Sequence, residues 1–155
     1  EVNVREVDKL MTQIQINLKA PKSQYNDFGK YNYRNKEDIL EAIKPHLHLL
    51  EGAYVNITDE LVVVGNRFYV KSTASLNFMG ESICAVGFAR EAETKKGMDC
   101  SQVTGACSSY SGKYALSNLF AIDDTKDFDH SAHDVRNVPP NQEQNQYVQN
   151  PQQWG

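Results

Sequence analysis

The 155-residue sequence predicts an α+β fold, in which an antiparallel β-meander of three to four strands packs against a long helix. N-terminal helices are predicted before the sheet, and a disordered polar tail after the long helix. Apolar residues recur at three- and four-residue steps near the N-terminus, alternate with polar residues over 53–92, and return in a helical pattern before Phe120. The connections within the alternating segment are short, and such connections join antiparallel neighbours.

Two helices are predicted ahead of the sheet. Residues 4–18 form the first, and residues 35–50 form the second, with Asn35 as its N-cap. Pro45 lies inside the second pattern and should kink or divide that helix. Residues 19–35 are rich in turn-forming side chains and are predicted to be a loop.

The strand-like segment is divided by turn signals. Gly65-Asn66 is a two-residue hairpin signal, and Met79-Gly80-Glu81 predicts a further turn. A polar stretch at 58–60 predicts an interruption of the first strand. The predicted strands and long helix cover residues 54–57, 61–64, 67–78, 82–91 and 101–120.

The net charge of −4 is unevenly distributed. Residues 1–122 carry 14 basic and 14 acidic side chains, whereas residues 123–155 carry two basic and six acidic ones. Residues 19–36 hold five basic side chains against one acidic, Asp27. Because nucleic-acid binding needs local rather than overall positive charge, a sequence pI of 5.5 does not exclude it.

The basic segment also contains aromatic residues, and this combination suits contact with both phosphates and bases. A loop pinned to the core by its aromatic rings is the alternative interpretation, and both can hold at once. The candidate DNA-binding residues of this segment are Lys22, Lys30, Tyr31, Tyr33 and Arg34.

A second candidate group lies on the long helix. Tyr110, Lys113 and Tyr114 are three and four residues apart and therefore share one helical face. A cation between two aromatic rings could grip a stacked, charged polymer. Aromatic residues at this spacing are more often part of a core, so burial is the alternative. The polar connection before the helix adds the basic candidates Arg90, Lys95 and Lys96.

No enzyme motif is found in the sequence. A phosphate-binding GxxxxGK[ST] loop and a serine-nucleophile elbow are both absent, so we expect no catalytic residue and no cofactor. The acidic cluster at Asp123, Asp124 and Asp127 is the one candidate for Mg²⁺, which leaves a Mg²⁺-dependent nuclease as an alternative. A non-enzymatic adaptor is the other alternative.

The expected location is the cytoplasm of a bacterial host. The three cysteines form no CxxC pair and are odd in number, which predicts neither a disulfide framework nor a structural zinc site. No run of apolar residues is long enough for a membrane span, and the first residues lack the apolar core of a signal peptide.

Three blocks of sequence resemble the essential recombination function (ERF) family of phage-type single-strand annealing proteins. They are YNDFGKYNYRNKEDILEAIKP (25–45), GFAREAETKKGMDCSQ (87–102) and the segment 97–129, in the family's order. The resemblance implies a protein that coats single-stranded DNA and pairs complementary strands without ATP. It also implies assembly into rings or helical filaments, with a host single-strand binding protein or an exonuclease as candidate partners.

The chain therefore divides into a predicted annealing domain, residues 1–129, and a Gln/Asn/Pro-rich tail, residues 130–155. The tail lacks the apolar pattern of a core. Truncation after His130 should leave the melting transition and strand annealing unchanged. Thermal melts and annealing assays on the truncated chain test this, and loss of the melting transition would show that the tail is structural.

Overall fold

The computed structural model describes residues 3–93 and 97–122. Helices lie at both ends of this part of the chain, and strands lie between them. The elements are α1 Glu6–Asn17, β1 Gln24–Asn26, β2 Tyr31–Tyr33, α2 Lys36–Leu47, β3 Tyr54–Val64, β4 Arg67–Phe78, β5 Glu81–Arg90 and α3 Cys100–Phe120. The predicted α+β class, with a meander against a long helix, is confirmed.

Strands β3, β4 and β5 form an antiparallel sheet in that order. The β3–β4 register runs from Tyr54 opposite Asn77 to Val64 opposite Arg67, and Gly65-Asn66 makes the hairpin turn as predicted. The predicted interruption at 58–60 is wrong, because β3 continues through it. Its polar side chains have cross-strand partners there: the Glu60 carboxylate lies 2.5 Å from Lys71 Nζ.

The segment predicted as a loop contains a small hairpin. β1 and β2 pair antiparallel, with Gln24 opposite Tyr33 and Asn26 opposite Tyr31. Asn26 shapes the turn, because its Oδ1 accepts hydrogen bonds from the backbone N–H groups of Phe28 (3.0 Å) and Gly29 (2.9 Å). This side-chain turn holds the two short strands together.

Reciprocal capping boxes begin the helices α2 and α3. The Asn35 side chain accepts from the Asp38 N–H and the Asp38 carboxylate accepts from the Asn35 N–H, which confirms Asn35 as the N-cap. Asp99 and Gln102 do the same for α3. Pro45 neither divides α2 nor ends it at once, because the helix continues to Leu47. No helix in the described ranges combines the length and apolar character needed to cross a membrane.

The core lies between the three helices and one face of the sheet. β4 contributes alternate residues to it, since Val70, Ser72, Ala74 and Leu76 are buried. The apolar residues at the end of α3, Ala115, Leu116, Leu119 and Phe120, are all buried. The helices α1 and α2 contribute Val7, Leu10, Met11, Ile14, Ile39 and Ile43 to the same cluster.

Helix α3 approaches the sheet closely at Gly87. A Cβ atom on Gly87 would lie 2.4 Å from both the Ser111 carbonyl oxygen and the Ala115 nitrogen, which are backbone atoms of α3. Beside this contact, the hydroxyls of the buried residues Ser72 and Ser111 form a hydrogen bond, with 2.6 Å between their Oγ atoms. The strand β3 completes the polar contact, because Asp59 accepts from Ser72 and from Ser108, each at 2.5 Å.

Replacement of Gly87 by Ala should destabilise the fold, because the added methyl group meets helix backbone rather than a side chain that can move. Overpacking of this kind costs roughly 1–3 kcal/mol. Gly105→Ala is the matched control: a Cβ there has no described atom within 4 Å, so removing a helical glycine should stabilise by about 0.5–1 kcal/mol. Denaturant unfolding of both variants tests the close approach, and equal stability of the two would contradict it.

Candidate nucleic-acid interface

The second predicted group forms one contiguous arrangement on α3. Lys113 Nζ lies 5.1 Å from the Tyr110 ring centroid and 5.5 Å from that of Tyr114. The two ring centroids are 6.4 Å apart. Tyr110 and Tyr114 are 51% and 45% exposed, so the alternative that both rings belong to the core is wrong.

The hairpin brings two more tyrosines to this helix. Tyr31 and Tyr33 pack edge to face, with centroids 6.1 Å apart. Partial burial is the main cause that raises the pKa of the Tyr110 hydroxyl. The nearby hydroxyls of Tyr31, Tyr114 and Tyr33 raise it further. Two groups separated by almost eighty positions in the sequence therefore lie near each other. We call Tyr31, Tyr33, Tyr110, Lys113 and Tyr114 the tyrosine surface.

Local geometry fixes how the hairpin presents its rings. The Tyr31 ring lies over Gly29, where a Cβ would come within 2.3 Å of it. Asn26 Nδ2 donates to the Tyr31 hydroxyl at 3.1 Å. Lys30 has a left-handed backbone, with φ of 55°. The small residue, the amide and the turn together hold Tyr31 half exposed beside α3.

The predicted cations of the basic segment differ in accessibility. Lys30 is exposed at the turn, and Lys22 is half-buried. Arg34 is only 8% exposed. Most of the Arg34 side chain therefore lies inside the fold, and Lys30 is the more accessible of these two candidate residues.

Two residues outside the predicted set lie on the hairpin and at the start of α2. Phe28 is 94% exposed at the hairpin turn. Its position between Asp27 and Gly29 could have indicated this exposure in the sequence, since an aromatic residue in a turn has little core to pack against. The Lys36 side chain lies across Gly112, where a Cβ would meet its Cδ at 2.7 Å. No pattern in the sequence predicts that long-range contact.

The remaining predicted residues lie elsewhere. Arg90 ends β5 and pairs in register with Tyr69, so it faces away from α3 and does not join the tyrosine surface. Lys95 and Lys96 lie outside the described residues, as do Asp123, Asp124 and Asp127. Within the ranges 3–93 and 97–122, no group of three or more His, Cys, Asp or Glu residues could hold a metal ion.

A groove of about 290 Å³ lies between α2 and the start of β3. Apolar side chains line most of it, together with Glu37, Glu41 and Lys44. Lys44 is already paired with Glu41. Two carboxylates and one neutralised cation make this groove a poor site for phosphate, and the tyrosine surface is the better candidate.

The ERF superfamily model matches residues 7–155. The chain belongs to the ERF superfamily. This match confirms the resemblance and extends beyond the three blocks that indicated it. No solved structure matches the chain.

One curated relative of this ERF-superfamily chain is the essential recombination function protein of Salmonella phage P22. The two sequences are 54% identical over 123 residues, which cover 79% of this chain and 58% of the relative. The matched region thus spans little more than half the length of the phage protein.

The two faces of α3 can be tested by a pair of variants. Leu116 is fully buried, so Leu116→Ala should cost about 2–5 kcal/mol of the free energy of unfolding. Lys113→Ala should cost less than Leu116→Ala, at most about 1 kcal/mol, since the Lys113 side chain is partly exposed rather than part of the core. Thermal melts compare them. If Lys113→Ala unfolds the chain while Leu116→Ala melts normally, the assignment of faces is reversed.

Proposed function

We propose that this chain binds single-stranded DNA and anneals complementary strands in ATP-independent homologous recombination. Membership of the ERF superfamily and the name of the phage relative support a role in recombination. The observation that carries the finer proposal is the tyrosine surface, where four tyrosines and one lysine from the hairpin and α3 lie near one another and three of the rings are about half exposed.

Each component of the tyrosine surface suits one part of a DNA strand. Exposed aromatic rings stack on bases regardless of sequence, and each such contact is worth roughly 1–3 kcal/mol. Lys113 supplies positive charge for phosphates. Lys30 on the hairpin and Lys36 on α2 can add to this charge. Stacked on one side, the bases keep their Watson–Crick edges free to test a second strand.

No covalent step is needed for this activity. Annealing is downhill, and its barrier is the alignment of two strands that repel each other. Neutralised phosphates and splayed bases lower that barrier. We therefore propose a non-enzymatic protein with no cofactor, acting in the cytoplasm of a bacterial host.

Assembly follows from the size of the surface. Five side chains on one domain contact only a short stretch of DNA, so holding a long strand requires many copies side by side. We propose a homo-oligomer, a ring or a helical filament, that holds single strands and the annealed duplex. A host single-strand binding protein or an exonuclease would then be a partner that delivers the strand.

Two rival functions make different predictions. A Mg²⁺-dependent nuclease would use the acidic cluster at 123–127, and it would cleave the oligonucleotide and lose activity in EDTA. A protein-interaction adaptor would show no salt-dependent binding to DNA. Binding without cleavage, unchanged by EDTA, separates strand annealing from both.

Annealing should depend on the two helix tyrosines. In Tyr110→Leu/Tyr114→Leu the rings are lost while apolar side chains remain, so affinity for an oligonucleotide should fall by at least about tenfold. Phe68→Leu is the matched control, because Phe68 is about equally exposed, at 48%, and lies outside the tyrosine surface. Lys113→Ala should weaken binding and make the log-affinity versus log-salt slope shallower by roughly 0.7.

The measurements are fluorescence titrations with labelled single strands at several salt concentrations, and annealing of complementary oligonucleotides without ATP. Equal affinity in the control and in the double tyrosine variant would remove the tyrosine surface from the proposal. Failure of the unaltered chain to bind or anneal would remove the function itself.

A further inference from the structure

The sheet has a second face, opposite the helices. Because side chains alternate along a strand, the β4 residues between the buried ones point to this side. In register, Val62, Tyr69 and Arg90 form one row across the three strands. The next row is Glu60, Lys71 and Phe88, and Val64 lies opposite Arg67 at the hairpin end. We call this the open face.

No helix of the described ranges covers the open face. The core cluster takes its β4 members from the other side, and α1, α2 and α3 all contribute to that same cluster. The outer strand β5 shows the consequence clearly, because Phe88 is 49% exposed and Val86 is 40% exposed. Two aromatic rings, Tyr69 and Phe88, therefore lie on neighbouring rows of an uncovered sheet.

The charge of this region is positive. Arg67, Lys71 and Arg90 accompany the rings, and Glu60 is the one acidic side chain among these rows. The Glu60 carboxylate forms an ion pair with Lys71, with 2.5 Å between Oε1 and Nζ. The Arg67 and Arg90 guanidinium groups form no ion pair within the described residues, and both residues are exposed. Two cations therefore flank Tyr69 on the open face.

We propose that the open face is a second binding site for a single nucleic-acid strand, separate from the tyrosine surface. Rings on adjacent rows can stack on unpaired bases, which a duplex does not expose, while Arg67 and Arg90 reach phosphates along the flanks. The occupant is thus a single strand rather than a duplex. This inference rests on the proposed annealing function and extends it.

Two sites on one protomer have a direct use in annealing. The tyrosine surface belongs to the helical side of the sheet and the open face to the other side. A protein that holds one strand while it captures another converts the search for a partner strand into a local event at raised effective concentration. The second site would then add strand binding with its own salt dependence and would also increase the rate of annealing.

Charge removal tests the site. In Arg67→Ala/Arg90→Ala the log-affinity versus log-salt slope for a single-stranded oligonucleotide should become shallower by roughly 1.4, from two lost contacts. Lys9→Ala/Lys44→Ala is the control with the same change in net charge, since both lysines are exposed and lie on α1 and α2, away from either surface. The control slope should equal that of the unaltered chain.

Stacking is tested separately by Phe88→Leu, which keeps an apolar side chain and removes the ring. An oligonucleotide carrying 5-bromodeoxyuridine should cross-link under ultraviolet light to peptides that contain Tyr69 or Phe88. The cross-link to the Phe88 peptide should be lost in Phe88→Leu, while cross-links to the tyrosine surface persist. Thermal melts confirm that each variant folds.

The outcomes distinguish the two proposals. If the tyrosine-surface variants weaken binding while the open-face variants leave slope and cross-links unchanged, the second site is overturned and annealing stands. If the unaltered chain binds no single strand, both fail. If Phe88→Leu or Arg67→Ala/Arg90→Ala changes particle size in sedimentation without DNA, and cross-links to this face are absent, a second copy covers it and the nucleic-acid site is overturned.

Discussion

The contact between α3 and the sheet at Gly87 determines the position of most other features. The backbones meet there without an intervening side chain, since a Cβ would lie 2.4 Å from two atoms of the helix. So close an approach leaves no room for water, and the polar groups nearby must satisfy one another. Ser72, Ser111 and Asp59 do so across two strands and the helix. The contact therefore fixes both the distance and the rotation of α3.

The rotation of α3 in turn sets the tyrosine surface. With Ser111 and Ala115 against the sheet, Tyr110 and Tyr114 lie on the flank, half exposed, with Lys113 between their rings. Lys36 across Gly112 ties the same helix to the start of α2. The hairpin precedes α2 directly, and Asp38 joins the two, because Gln24 Nε2 donates to its carboxylate at 3.1 Å. The packing contact at Gly87 thus positions both parts of the candidate site, the α3 residues and the hairpin.

Local patterns predicted the helices and the three long strands but missed the β1–β2 hairpin, and long-range contacts determined which side chains meet. The helices, the Gly65-Asn66 turn and the buried residues of α3 follow from periodicity and turn chemistry. The interruption at 58–60 was wrong because a polar run predicts a turn only if its side chains lack partners, and Asp59 and Glu60 find theirs on other elements. The burial of Arg34 also depends on long-range packing, and nothing in the neighbouring sequence indicates it. The open face depends on strand register, which no short segment encodes.

The two outer strands of the sheet are not alike, and this difference constrains how copies can be joined. β3 is the first edge and β5 the other, and Asn118 already donates to the Val86 carbonyl of β5 at 2.8 Å. A contact from the β3 edge of one copy to the β5 edge of the next would be heterologous, so each added copy would present the same free edge again. Assembly through such contacts would not stop at a dimer. It closes only when the rotation between neighbours divides a full circle, and otherwise it continues as a helix.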